Sequence, residues 1–101
     1  MNFENAIAKV RFSSARPQCV HIHKGKAISM ELLCMEPDQG LTVRSCEWLY
    51  YVITGTAAVT AGGKTTTLPT GQLAASESGE THTLACVGET RLVCLAVRQS
   101  S

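Results

Sequence analysis

The chain has 101 residues, 45% of them hydrophobic and 17% charged, which is enough apolar material for one packed core and excludes wholesale disorder. The formal net charge is +1 and no basic cluster is present, so nucleic acid is not expected as a partner, because phosphate binding needs several Lys or Arg on one face. The sequence shows neither a signal peptide nor a run of about 20 apolar residues, so no membrane partner is expected. We interpret residues 1–101 as a single domain.

The first segment of the chain alternates between apolar and polar residues. Apolar side chains stand at every second position, at Ala6, Ala8, Val10 and Phe12. This period of two predicts a strand within residues 1–16, and the stretch 13–17, which contains two serines and a proline, ends the pattern.

The next segment carries two histidines in an alternating pattern. Val20 and Ile22 alternate with His21 and His23, which predicts a strand with both imidazoles on one face. Such a pair can bind a metal. The alternative is that the pair points to solvent or to a partner, because Val20 and Ile22 occupy the other face.

The rest of the chain consists of short β-branched and aromatic runs separated by turn residues. Trp48–Thr54 is the strongest run, and Gly62 with Gly63 predicts a hairpin turn, because adjacent glycines reach the positive φ angles that such turns need. Strands are predicted at residues 27–35, 48–54, 57–60, 65–68, 72–75, 81–86 and 91–98. Many short strands at regular spacing predict an all-β sandwich or barrel.

The five cysteines are an odd number and form no CxxC pair. They are Cys19, Cys34, Cys46, Cys86 and Cys94. We expect reduced thiols that pack as small hydrophobic side chains, which is typical of a cytoplasmic protein.

Two glycine-containing stretches have the spacing of known barrel motifs. Trp48–Gly55 is a strand that ends in a glycine, and Gly71–His82 contains a second glycine at position 79, three residues before the histidine. These stretches resemble the two motifs of the small single-domain cupins, and the resemblance extends from about residue 17 to residue 98. It implies a double-stranded β-helix, or jelly-roll, cupin barrel. It also implies a homodimer, often formed through an N-terminal strand, and residues 1–16 would suit that role as a dimer arm.

The sequence departs from the cupin pattern at the residues that hold the metal in that family. Trp48 stands seven residues before Gly55, where the family carries a glutamate, and the two expected histidines are absent from residues 41–46. Of the four ligands that the resemblance implies, His82 alone remains. A lone imidazole does not supply the three or four converging donors that a divalent metal of this class needs. We therefore expect no metal and no cofactor.

Strand alternation predicts an aromatic and apolar pocket in the barrel interior, which is typical of small-molecule sites. Three inward residues on one strand and three on the neighbouring wall would line it: Trp48, Tyr50, Val52, His82, Leu84 and Cys86. Two roles stay open. Trp48 is either a core plug or a platform for a substrate, and His82 is either a ligand anchor or general base or an imidazole satisfied by a neighbouring group.

Three functions are compatible with this sequence. The first is a metal-free barrel that binds a small, largely apolar molecule. The second is a metal-dependent enzyme, of the dioxygenase or isomerase type that the resemblance implies, with the unorthodox ligands His82, Cys46 and Glu47. The third is a structural or regulatory dimer with a filled barrel. Catalysis itself stays open, because no Ser-His-Asp order and no suggestive pair of carboxylates stands out.

Overall fold

Two antiparallel β-sheets pack face to face in the structure, a computed structural model that describes residues 1–44 and 46–100. Their strands are β1 (Gln18–Lys24), β2 (Ile28–Met35), β3 (Gly40–Val43), β4 (Trp48–Thr54), β5 (Ala57–Ala61), β6 (Lys64–Leu68), β7 (Leu73–Ala75), β8 (His82–Cys86) and β9 (Leu92–Gln99). The five-stranded sheet has the order β1-β2-β9-β4-β7, and the four-stranded sheet has the order β3-β8-β5-β6. The predicted all-β jelly roll is confirmed.

Most strands lie where the sequence pattern predicts them, but β3 does not follow from that pattern. A strand of four residues is too short to show a period, and its pairing with β8 is what holds it in the sheet. The described residues contain no helix with the length and apolar character that a bilayer crossing requires.

The N-terminal segment is not a strand, so that prediction is wrong. Ile7–Lys9 form one turn of 3-10 helix, and the Ala8 N–H donates a hydrogen bond to Asn5 Oδ1 at 3.3 Å. The apolar side chains of the segment pack against the outer face of the five-stranded sheet: Ala6, Val10 and Phe12. Alternation misleads here because residues four apart also share a face when the chain turns helically. The role of this segment as a dimer arm stays a prediction.

The β2 strand is buried on both of its faces, which explains what the N-terminal segment covers. On the inner face, Leu33 and Met35 belong to the core between the two sheets. On the outer face, Leu32 and Cys34 belong to a second core that the N-terminal segment completes. A strand that is apolar on both sides needs a layer on each side, so residues 1–16 fold back onto their own sheet.

The two histidines of β1 do not share a face, which corrects the prediction. His21 pairs with Glu31 and His23 pairs with Met30, with a register shift between them. Residues directly opposite each other across two strands share a face, while the neighbours Met30 and Glu31 alternate. His21 keeps the regular register and lies on the inner side of the sheet, whereas the bulge at Ile22 places His23 on the outer side.

Gly55 closes β4 in the way that its motif predicts. Its φ angle is 87°, and a Cβ at this position would collide with the backbone of Arg91. Only glycine fits both the left-handed conformation and the close approach.

Candidate functional site

The six side chains predicted to line the barrel all point between the two sheets. They alternate along β4 and β8: Trp48, Tyr50, Val52, His82, Leu84 and Cys86. Five of them are at most 2% exposed, whereas Trp48 is partly buried and packs against the edge of the core. The predicted inward register of both strands is therefore confirmed.

The two strands lie on opposite walls, because they belong to different sheets. The β8 strand pairs with β3 and β5, while β4 pairs with β7 and β9. The expectation that His82, Leu84 and Cys86 form the wall next to β4 is wrong. Local alternation fixes which face a side chain takes, but not which strand lies opposite.

A hydrogen bond joins the two walls at the centre of the barrel. Tyr50 Oη lies 2.6 Å from His82 Nε2, and His82 Nδ1 lies 3.0 Å from the backbone oxygen of Glu80. A carbonyl oxygen only accepts, so Nδ1 carries the hydrogen of the neutral ring, and Nε2 then accepts from the Tyr50 hydroxyl. Burial raises the pKa of Tyr50, so its hydroxyl keeps the proton it donates. Of the two roles left open for His82, this geometry supports the satisfied imidazole.

Aromatic rings continue from this hydrogen bond to the edge of the barrel. The rings of Tyr50 and His82 meet edge to face with centroids 5.5 Å apart, and those of Trp48 and Tyr50 lie parallel with centroids 5.7 Å apart. The guanidinium carbon of Arg98 lies over the Trp48 ring, 5.5 Å from its centroid. Ser76 fixes the start of the strand, because its Oγ accepts from the Trp48 N–H at 3.0 Å and its N–H donates to the Trp48 carbonyl at 2.9 Å. These contacts therefore restrict the orientation of the Trp48 ring.

The interior below these rings has little free space. A cavity of about 90 Å³ lies between Tyr50, His82 and the small residues of β5 and β7. That volume suits a few water molecules better than an organic ligand, since an engineered cavity that binds benzene measures roughly 150 Å³. Space for a larger molecule must be sought elsewhere.

One larger space is a pocket at the mouth of the barrel, where the β1, β2 and β3 strands approach Trp48. Its volume is about 340 Å³. It is lined by Cys19, Glu31, Leu33, Leu41, Thr42, Val43, Arg44, Trp48 and Tyr50. Of these residues, strand alternation in the sequence predicted only Trp48 and Tyr50 as lining a pocket. The alternation of Leu41 and Val43 was the available signal, but it became informative only once β3 was paired with β8.

Glu31 is a buried carboxylate at the base of this pocket. Its side chain is 8% exposed, and its oxygens lie 3.2 Å from His21 Nδ1 and 3.6 Å from Arg98 Nε. A buried charge is tolerated only when it is paired, so Arg98 balances the carboxylate and His21 adds a polar contact. The regular register of β1 on β2 places His21 opposite Glu31, because the bulge follows His21 and displaces only the residues after it.

The residues present do not fit the metal that the cupin resemblance implies. Among residues 1–44 and 46–100, no three His, Cys, Asp or Glu side chains form a group that could hold an ion, so His82, Cys46 and Glu47 are not brought together. Glu47 lines an outer groove beside Ile28, whereas His82 borders the internal cavity. The Nε2 atom of His82 already accepts from Tyr50, and its cross-strand partner Val43 has no donor atom.

Family and structure comparisons agree with this architecture. The model of the family described as "Cupin domain" matches residues 43–98, which is more than half of the chain. No curated protein matches the sequence.

Several solved structures have the same fold. A double-stranded β-helix domain protein from Klebsiella pneumoniae superposes with a TM-score of 0.88 at 19% identity, covering 98% of this chain and 90% of that one. A cupin superfamily protein from Desulfitobacterium hafniense gives a TM-score of 0.83 at 12% identity, covering 100% and 94%. An RmlC-like cupin from Desulfovibrio desulfuricans gives 0.81 at 17% identity, covering 97% and 96%. At these identities the likeness shows the fold alone.

Proposed function

The chain belongs to the cupin domain family, and from that premise we propose that it is a binding barrel that holds a small, largely apolar molecule against Trp48 at the barrel mouth. The observation that carries this proposal is the mouth pocket of about 340 Å³. Its volume falls within the range of roughly 300–1,000 Å³ that small-molecule sites occupy. The sequence predicted a ligand pocket in the barrel interior, whereas the proposed site lies at the mouth.

The lining of the pocket supports an apolar ligand. Leu33, Leu41 and Val43 present aliphatic side chains from two strands, and Trp48 contributes an aromatic ring that is already held in place by Tyr50. A rigid platform is favourable, because little side-chain entropy remains to be lost on binding. Of the two roles left open for Trp48, the proposal takes the platform.

His82 acts behind this surface as a positioning residue. It borders the internal cavity and not the mouth, and it reaches the mouth only through its hydrogen bond to Tyr50. We expect it to fix the Tyr50 ring and, through the stacked rings, the plane of Trp48.

Fluorescence tests the proposal directly, because Trp48 is the only tryptophan in the sequence. Titration of the protein with small aliphatic and aromatic compounds, excited selectively at tryptophan, should change the emission of Trp48 when a ligand binds. The same compounds should raise the melting temperature, since a ligand that binds only the folded state stabilises it.

A matched pair of variants locates the site. Leu41→Gln places an amide in the pocket lining, whereas Leu49→Gln places one on the outer face, where Leu49 is 41% exposed. We expect Leu41→Gln to weaken binding about tenfold or more and Leu49→Gln to leave it unchanged. Equal weakening by both variants, with folding checked by circular dichroism, would place the ligand elsewhere.

A second candidate is a structural module with a filled barrel. Its support is the interior, where His82 is satisfied on both nitrogens and the cavity is about 90 Å³. The two proposals give opposite results in the titration, because a filled structural barrel predicts neither an emission change nor a thermal shift. The expected homodimer and the cytoplasmic location stay predictions, and light scattering of the purified protein measures the first of them.

A further inference from the structure

We propose that the ligand of the mouth pocket is a small monoanion with an apolar body, whose negatively charged group pairs with Arg44. This inference rests on the proposed function and deepens it by naming the class of ligand. It follows from the charges around the pocket and from how each of them is neutralised.

The negative charge at the pocket is already compensated. Glu31 is the acidic residue of the lining, and its carboxylate contacts Arg98 at 3.6 Å and His21 at 3.2 Å. Arg98 in turn lies over the ring of Trp48. A cationic ligand would therefore find Glu31 engaged and would have to displace a neighbouring guanidinium.

The positive charge at the pocket is not compensated. Arg44 is an exposed residue that follows β3 and lines the same pocket as Trp48. Within residues 1–44 and 46–100, it makes no ion pair. The basic groups Arg44 and Arg98 outnumber the single carboxylate of Glu31, so the charge at the mouth is net positive even with His21 neutral. A guanidinium without a partner beside an apolar wall favours a carboxylate or a similar planar anion, which accepts two parallel hydrogen bonds.

The apolar part of such a ligand has a defined place. Leu33 and Leu41 form the aliphatic wall, and Trp48 closes the opposite side. Arg44 lies one residue beyond Val43, at the end of β3, so the charged end of the ligand would lie at the rim and its apolar body would point towards Tyr50. This arrangement keeps the anion partly hydrated while its hydrocarbon part leaves water.

Three ligands that share one hydrocarbon chain test the proposal: hexanoate, 1-hexanol and hexylammonium. We expect the emission of Trp48 to report binding in the order hexanoate, then hexanol, then hexylammonium, with hexanoate at least about fivefold tighter than hexanol, which corresponds to an ion pair at a largely exposed site. The advantage of hexanoate should shrink as salt is raised, because salt screens an exposed pair.

Arg44 variants assign the effect to this side chain. Arg44→Gln should abolish the preference for hexanoate over hexanol, and Arg44→Glu should reverse the order so that hexylammonium binds better than hexanoate. Arg16→Gln is the matched control, because Arg16 is also exposed and lies outside the pocket lining, and it should change nothing.

Failure of this inference differs from failure of the proposed function. Equal binding of hexanoate and hexanol to the wild type, or an unchanged preference in Arg44→Gln, overturns the anion proposal and leaves an apolar binding site. Absence of any response to all three ligands at about 10 mM, well above the millimolar affinity expected of a six-carbon chain, overturns both.

Discussion

The interior and the mouth of the barrel share β4 but are otherwise lined by different strands, and they differ in how their polar groups are satisfied. In the interior, both ring nitrogens of His82 have partners, and no buried side-chain nitrogen or oxygen of the described residues lacks one. At the mouth, Arg44 makes no ion pair with the described part of the chain, and the free volume is about 340 Å³ against about 90 Å³ inside. The difference supports a structural role for the interior and the ligand site that we propose at the mouth.

The largest expected effect is a loss of stability when a side chain of the packed interior is truncated. Leu84→Ala removes a side chain that is 0% exposed at the centre of the core. It should lower the free energy of unfolding by about 2–5 kcal/mol, because the packed surroundings collapse only partly around the gap. Urea denaturation measures the change.

Leu49→Ala is the control for this truncation, since Leu49 is on β4 of the opposite sheet and is 41% exposed on the outer face. Its loss should be clearly smaller. Similar losses for the two variants would contradict the contrast between a packed interior and the exposed surface.

An intermediate effect is expected from the central hydrogen bond. Tyr50→Phe removes the hydroxyl that donates to His82 Nε2 and keeps the ring stack with Trp48. It should cost about 1–3 kcal/mol, because a buried acceptor loses its partner. Tyr51→Phe, at a neighbouring residue that is 43% exposed, should stay within about 0.5 kcal/mol. An unchanged free energy of unfolding in Tyr50→Phe would mean that His82 does not depend on this bond.

The smallest effect is the change in the free energy of unfolding that we expect when the pH is raised from 9 to 10. Burial raises the pKa of Cys94 from 9.0 to about 12, so the unfolded thiol releases its proton above about pH 9 while the folded one keeps it. The unfolded state then gains stability, and the free energy of unfolding falls as the pH rises from about 9 towards 12. The loss is at most about 1.4 kcal/mol per pH unit for one group.

Cys94→Ala checks the assignment of this alkaline loss. The variant has lower stability at every pH because it leaves a small gap, but its slope above pH 9 should be flatter than that of the wild type. The pH dependence of urea unfolding measures both quantities. An unchanged slope would assign the alkaline loss to other groups, of which Cys19 and Cys86 are the first to examine, because burial also raises the pKa of these two thiols.

The parts of the site that could be predicted from the sequence depend on local spacing. Tyr50 and Val52 face inward because successive residues of a strand alternate, and Gly55 was identified because its position demands a positive φ angle. The N-terminal segment shows the limit of the same reasoning. Its alternation is real, but the segment packs on the outer face of the sheet as a turn and not as a strand.

The rest of the site depends on contacts between residues far apart in the chain. The bond from Tyr50 to His82 spans 32 positions, and its existence requires β4 and β8 to lie on opposite walls. The pairing of His21 with Glu31 depends on the register in which β1 meets β2. Neither is a property of a short window of sequence.

The sequence by itself determined the all-β cupin fold and the inward face of two strands, because both follow from residue types at fixed local spacing. Only the tertiary structure decided that the cavity beside His82 is small, that His82 pairs with Tyr50, and that a pocket of about 340 Å³ lies beside Trp48 and Arg44. The physical reason is that free volume and hydrogen-bond satisfaction are set by which strands meet across the barrel, and that register is fixed by the whole chain at once.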